Sequence, residues 1–354
     1  MERALTLATL ALIVLMMMLG AIVHGTGSSL ACPDWPLCYG DAFPPMQGGI
    51  LYEHSHRLLG SLIGLAAISL VLVVLKKRKD VVPKALLGTA LALIIAHAVL
   101  AGAGVSRSIW PLAIAGFLLD IPLLVVLVRL GRSEVSVACV LGLLQLIIIQ
   151  GILGGLTVVL RLPYVVSAGH LGLSMIILAL TAVLAVRFSG ELGPKVAIAR
   201  NWLGGVIAGL YVQILLGAFI KHTGASLACG IDVIACNGGA PHGGPAHLHF
   251  THRVLGVLLL AAIIALTLPI LKAAKRAGNK PAKLLVIASH ALVTLQVILG
   301  VGTVQTYISV PLATLHLGCG ALLLAVLVAL FTVLGKAQAE SSSPSPQREL
   351  AHAT

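Results

Sequence analysis

The sequence predicts an all-α polytopic membrane protein built as two tandem four-helix bundles, with one extra helix pair inserted in the first. Three observations predict it. Hydrophobic residues fill 59% of the 354 positions and charged residues only 10%, with a mean hydropathy of +1.08. A soluble domain of this length needs far more charge to cover its surface. Apolar runs of about 20 residues recur along the chain, the length that crosses a hydrocarbon core of roughly 30 Å. Finally, several short strings occur twice, which marks a duplicated unit.

Ten spans can be read in order, roughly 4–24, 53–75, 84–105, 109–129, 135–160, 165–187, 201–221, 249–271, 283–305 and 311–333. The net charge of +12 is no nucleic-acid signal, because the basic residues punctuate the spans. The run "KKRK" (76–79), Arg129 with Arg132, the connection carrying Arg187, Lys195 and Arg200, and "KAAKRAGNKPAK" (272–283) all fall on one side when ten spans are counted. Arg3 and the tail with Lys336 and Arg348 fall there too. The positive-inside rule makes that side cytoplasmic, in the cell membrane, with both termini inside. Loops 25–52 and 222–248 then face outward.

Each outward loop carries two cysteines, Cys32 with Cys38 in "LACPDWPLC" and Cys229 with Cys236 in "LACGIDVIAC". On the outer side a cysteine pair can be oxidised and stay so, and each pair is close enough in sequence to close a small ring. Disulfides are the leading reading; free thiols and a zinc site are the alternatives. Cys139 and Cys319 lie within spans and read as buried small residues. "SSLAC" after an apolar run imitates a lipoprotein cleavage site. Its recurrence as "ASLAC" in mid-chain favours a repeat, so the first span is expected to stay.

The repeats set the organisation. "TGSSLAC" (26–32) matches "TGASLAC" (223–229), and "EHSHRLLG" (53–60) matches "HFTHRVLG" (249–256), both about 197 residues apart. "QGILGGLTV" (150–158) matches "QVILGVGTV" (296–304), and "AGHLGL" (168–173) matches "TLHLGC" (314–319), both 146 apart. The first half therefore holds about 50 additional residues, enough for the helix pair 84–129. We expect a first half over 1–188, a second over 189–335, and a Ser/Pro-rich disordered tail over 336–354. With both Cys loops outside, the halves are parallel repeats.

Each half places one histidine near the outer start of its second helix, His56 and His252, each followed by an arginine, Arg57 and Arg253. Each half also places one near the start of its last helix, His170 and His316. At 1.5 Å rise per residue all four lie within ~10 Å of the outer surface. An ionisable side chain inside a membrane is costly and suggests function. A lone histidine can be a satisfied core residue, but two matched pairs argue against coincidence. Two imidazoles facing across a helical bundle suit haem iron, and each arginine could pair with a haem propionate. Other metal or proton-relay roles stay open, while the absence of a CxxCH motif excludes c-type attachment.

The halves differ at Glu53, which precedes His56 by three residues and shares its helix face. His249 takes that place in the second half. Glu53 reads either as a group handling protons or charge beside a haem-sized pocket, or as an interfacial carboxylate paired with Arg57. His97, Asp120 and His290 read as hydrogen-bonders inside the bundles.

Taken together, "TGSSLACPDWPLCYG", the ExxHR pattern of Glu53, His56 and Arg57, "QGILGGLTV" and the repeated histidines make the chain resemble the haem A synthase family. The resemblance covers most of the chain, which departs from the family's usual eight spans by the inserted pair. It implies two fused four-helix bundles that convert the position-8 methyl of haem O into a formyl for terminal oxidases. It implies that His252 and His316 ligate a haem b cofactor, that His56 and His170 bracket the substrate haem, that Glu53 is essential, and that Cys32–Cys38 serves activity or integrity. The partners to expect are haem O synthase, terminal oxidase assembly, a thioredoxin-like thiol partner, membrane lipid and a second copy of the chain; the electron donor is not specified. A dihaem electron carrier linked to quinol and a haem transporter are the rival readings. Prenyl transfer lacks the aspartate-rich loops it needs.

Overall fold

The computed structural model describes residues 1–78, 80–104, 109–190 and 201–342, and these are helical with no strand. The helices are α1 (Glu2–Gly25), α2 (Gly48–Arg78), α3 (Lys84–Gly104), α4 (Ile109–Ser133), α5 (Val135–Val159), α6 (Tyr164–Arg187), α7 (Asn201–His222), α8 (Gly244–Ala277), α9 (Lys280–Gln305) and α10 (Val310–Ser342), with a 3₁₀ turn at Ala225–Leu227. Among the described residues nine of these are long and apolar enough to cross a membrane. The chain is thus an all-α, multi-pass membrane protein.

The remaining helix, α3, is 21 residues long, ~31 Å at 1.5 Å per residue against a core of ~30 Å. At the other end, α10 runs on to Ser342. The remainder of the tail lies outside the described residues, as do Lys79, Lys195, Arg200 and Arg348.

Local sequence sets the helix ends. The Glu134 carboxylate accepts from Ser136 N at 3.0 Å to begin α5, and Asn279 Oδ1 accepts from Ala282 N at 2.8 Å to begin α9. Gly278 closes α8 in the left-handed region at φ 68°. The α5–α6 and α9–α10 turns share an uncommon feature. Two consecutive non-glycine residues adopt positive φ in each, Arg161 and Leu162 in one, Tyr307 and Ile308 in the other. In each the second residue donates its N–H five residues back, Leu162 to Thr157 O at 2.7 Å and Ile308 to Thr303 O at 2.8 Å.

Packing follows a closed pattern. α1, α2, α5 and α6 form a ring in which each helix touches the next, and α7, α8, α9 and α10 form another. The two rings meet through α1, α6, α7 and α10, and α10 is the most buried helix because it faces both. The α3–α4 pair packs against α5 from outside the first ring. One continuous apolar cluster runs through both rings, with Leu70, Leu141, Leu178, Ile263 and Leu327 fully enclosed. Several buried hydroxyls are satisfied by carbonyls one turn back, as at Thr181 Oγ1 to Ile177 O (2.7 Å) and Thr9 Oγ1 to Leu5 O (2.9 Å). At the end away from the Cys loops, Glu2 pairs with Arg78 and, at 3.1 Å, with Lys77, while Arg78 also reaches Glu134 at 3.8 Å. That cluster ties α1, α2 and α5 together.

Candidate functional site

In each ring the two histidines sit on diagonally opposed helices: His56 on α2 with His170 on α6, and His252 on α8 with His316 on α10. The members of each pair lie close enough to interact electrostatically. What lets them project inward is a glycine on the neighbouring helix. A Cβ at Gly154 would stand 3.1 Å from His170 Cε1, one at Gly217 3.1 Å from His252 Cε1, and one at Gly300 3.0 Å from His316 Cε1. Gly20 does the same for His56, with the Nε2 edge of that ring 3.1 Å away. These are contacts no side chain larger than hydrogen permits without displacing the imidazole.

Glutamines complete the surroundings. Gln150 Nε2 lies 3.3 Å from His170 Nε2 and donates to His170 O at 2.9 Å, and Gln296 Nε2 lies 3.3 Å from His316 Nε2. His316 Nδ1 is 3.1 Å from Gln296 O, which fixes a proton on that nitrogen. Gln213 Nε2 donates to His252 O at 2.7 Å. His170 Nδ1 and His252 Nδ1 are buried without a partner, as are Oε1 of Gln150, Gln213 and Gln296. Buried polar groups are normally paired, so both rings hold imidazole and amide atoms still owed one.

Each pocket is capped by its Cys loop. Both cysteine pairs, Cys32–Cys38 and Cys229–Cys236, are disulfides, which removes the free-thiol and zinc alternatives for these four residues. Cys139 and Cys319 are free. Within each small ring an aspartate organises the turn. Asp34 accepts from Tyr39 N at 2.6 Å and Gly40 N at 2.8 Å, and Asp232 from Gly238 N at 3.1 Å and Ile234 N and Ala235 N at 3.2 Å. Partial burial raises the Asp34 pKa, but the N–H groups of Gly40 and Tyr39 outweigh it and hold the carboxyl below its usual range. The Gly238 and Ala235 N–H groups hold Asp232 low as well.

The arginines after the histidines are committed to these loops. Arg57 donates to Asp34 O (2.6 Å), to Leu37 O and to Cys32 O (3.3 Å), and it pairs with Glu53 at 2.5 Å. Arg253 donates to Asp232 O, to Ala235 O (3.3 Å) and to Gly230 O (3.4 Å), with His249 Nε2 3.3 Å from its Nε. Glu53 is buried, and its second oxygen accepts from Cys32 N at 2.8 Å. Both carboxylate oxygens thus hold the first loop onto α2.

Two differences between the caps escaped sequence reasoning. Trp35 lies on Gly155 of α5, where a Cβ would fall 2.8 Å from the indole Cδ2; Val301 stands 146 residues on. His54 is buried beside the first disulfide, its Nε2 2.8 Å from Ala42 O, whereas Phe250 packs on the second. Elsewhere, His97 and Asp120 join Gln145 where α3 and α4 meet α5, with contacts of 3.1, 2.6 and 2.7 Å. His290 Nε2 lies 2.6 Å from Thr267 Oγ1.

Fold and site together define a polytopic helical membrane protein with two inward-facing histidine pairs beneath disulfide-closed caps. The family model described as COX15-CtaA, cytochrome oxidase assembly protein, matches residues 3–50 and 112–328, and the chain belongs to that family. The match includes His170, His252 and His316 and leaves out 51–111, where Glu53, His56 and Arg57 lie. Among curated relatives, the heme A synthase of Halalkalibacterium halodurans is 29% identical over 73% of this chain and 72% of its own. That of Bacillus pumilus is 26% identical over 97% of this chain and 98% of its own. That of Alkalihalophilus pseudofirmus is 28% identical over 72% and 71%.

Proposed function

We propose that the chain is a haem A synthase of the cell membrane, an oxidoreductase that converts the position-8 methyl of haem O into a formyl by successive hydroxylations. The observation that carries this reading is the duplicated histidine pair with an unequal neighbour, Glu53 in one ring and His249 in the other. Two equal electron-carrying sites would need no such difference. Membership of an oxidase-assembly family and relatives named heme A synthase support it.

The donor chemistry fits haem. Imidazoles come from opposite corners of each ring, glycines give them room, and the buried unpartnered Nδ1 atoms of His170 and His252 await the order a ligand would impose. In this reading His252 and His316 hold a resident haem b, and His56 and His170 bracket haem O. Iron supplies the redox chemistry when bound. The chain's residues do the rest. The glycines and glutamines fix the imidazole planes, and His316 Nδ1 is oriented by Gln296 O. Glu53, paired with Arg57, lies on the helix face of His56 and clamps the cap that excludes water. Haem O would enter from the bilayer, supplied by a haem O synthase, and the product would pass to oxidase assembly. The Cys loops face outward and both termini the cytoplasm.

Co-expression with a haem O synthase, followed by chromatography and mass analysis of extracted haems, tests this. Haem A is expected from the wild type. Unaltered haem O beside a well-folded, quinol-reducible protein would identify a dihaem electron carrier instead.

A further inference from the structure

We propose that His24 and His222 form the binding element for a carboxylate of the macrocycle held between His56 and His170, an inference that rests on the functional reading above. Nothing in that reading uses either residue. His24 Nε2 and His222 Nδ1 lie 2.9 Å apart, with the rings edge-on at 4.5 Å between centroids, and the bond joins α1 to α7 across the two rings of helices.

The pair lies at the edge of the first pocket. Gly20, against which His56 packs, precedes His24 by one turn of α1, so His24 stands about 6 Å nearer the Cys loops on nearly the same face. His222 lies within electrostatic range of His170. The pair therefore lies at the loop-bearing end, one turn of α1 beyond the Gly20–His56 contact and within electrostatic range of His170.

Its hydrogen bonding is incomplete. If His222 donates across the bond, His24 Nδ1 carries the remaining proton, and that nitrogen is buried without a partner. If His24 donates, His222 Nε2 carries it. Either arrangement leaves one N–H for an acceptor, and the Lys221 ammonium acts electrostatically on both rings. A carboxylate is the acceptor whose charge suits that setting. The arginine expected for this task, Arg57, is already committed to loop carbonyls and Glu53.

The element is confined to one pocket. Aligning "LGAIVHGTG" (19–27) with "LGAFIKHTG" (216–224) puts Lys221 at the place of His24 and Gly25 at that of His222. The second pocket has no matching histidine pair, so carboxylate recognition should distinguish the two.

The full chain in detergent, with its resident haem, would be titrated with protohaem IX and separately with its dimethyl ester, following the Soret difference spectrum of the second haem taken up. The wild type is expected to bind the free acid roughly tenfold or more tightly than the ester, the worth of a charge-assisted hydrogen bond. In the His24→Ala/His222→Ala protein the two ligands should bind within about twofold, with resident haem content, the check on folding, unchanged. If that protein fails to assemble, His222→Gln carries the same comparison. A wild-type preference that survives in the variants, or a wild type that does not discriminate, overturns the inference and leaves the functional reading standing. A wild type that takes up no second haem refutes both.

Discussion

Gly300→Ala is the substitution whose consequence the structure works out most fully. The new methyl would stand 3.0 Å from His316 Cε1, and ordinary contact begins at 3.4 Å, so the imidazole must retreat by about 0.4 Å. Metal–ligand distances tolerate about 0.2 Å, so the histidine leaves its working position. Helix stability moves the other way, since alanine is favoured over glycine by roughly 1 kcal/mol in a helix interior. With His316 holding a resident haem as proposed, the expected protein is as stable as the wild type but binds that haem at least tenfold more weakly, in the range seen when ligand-orienting contacts are lost. Haem content per chain, the low-spin absorption spectrum and thermal unfolding of the purified protein measure this together. Gly151 is the control, since a Cβ there meets nothing within 4 Å. Wild-type haem content in Gly300→Ala, or an equal loss in Gly151→Ala, would refute the idea that the glycine sets the ligand.

Three further outcomes follow from the caps. Glu53→Gln breaks a buried ion pair, a change worth about 3–5 kcal/mol locally; Cys32–Cys38 should become reducible under mild thiol while Cys229–Cys236, in the same molecule, does not. Gly155→Val should expel the Trp35 ring, costing on the order of 2 kcal/mol for ~100 Å² of lost burial, and tryptophan fluorescence would report a shift to the red. Asp34 and Asp232 are held below their ordinary value of 3.8, so their contribution is complete above that pH and is lost as pH falls through the lower folded values. Proteolysis of the two loops should therefore rise only in that acid window, and Asp232→Asn should remove the pH dependence in the second loop.

Much of this was legible from composition and repetition. Apolar runs and their basic punctuation sufficed for the fold class, because lipid leaves the backbone only helices or closed barrels. The four histidines were visible as a pattern, whereas Gly20, Gly154, Gly217 and Gly300 sat unnoticed inside the same repeated strings. A glycine's role is the room it leaves, and only the opposing side chain reveals that. A guanidinium beside a histidine suggests an anionic ligand, and the structure shows Arg57 and Arg253 donating to loop carbonyls. The loop carbonyls that occupy them are set by the fold of each disulfide ring, which spacing alone does not encode. His24 and His222 meet across helices α1 and α7, a contact between distant segments that no local string announces.

The division of labour between the two pockets is the central claim, and single histidine variants test it most directly. Resident haem and extracted products would be measured for His56→Ala and His252→Ala, each co-expressed with a haem O synthase. The account predicts that His56→Ala retains its resident haem while haem O accumulates, and that His252→Ala is purified without resident haem. Loss of the resident haem from His56→Ala with retention in His252→Ala would contradict it.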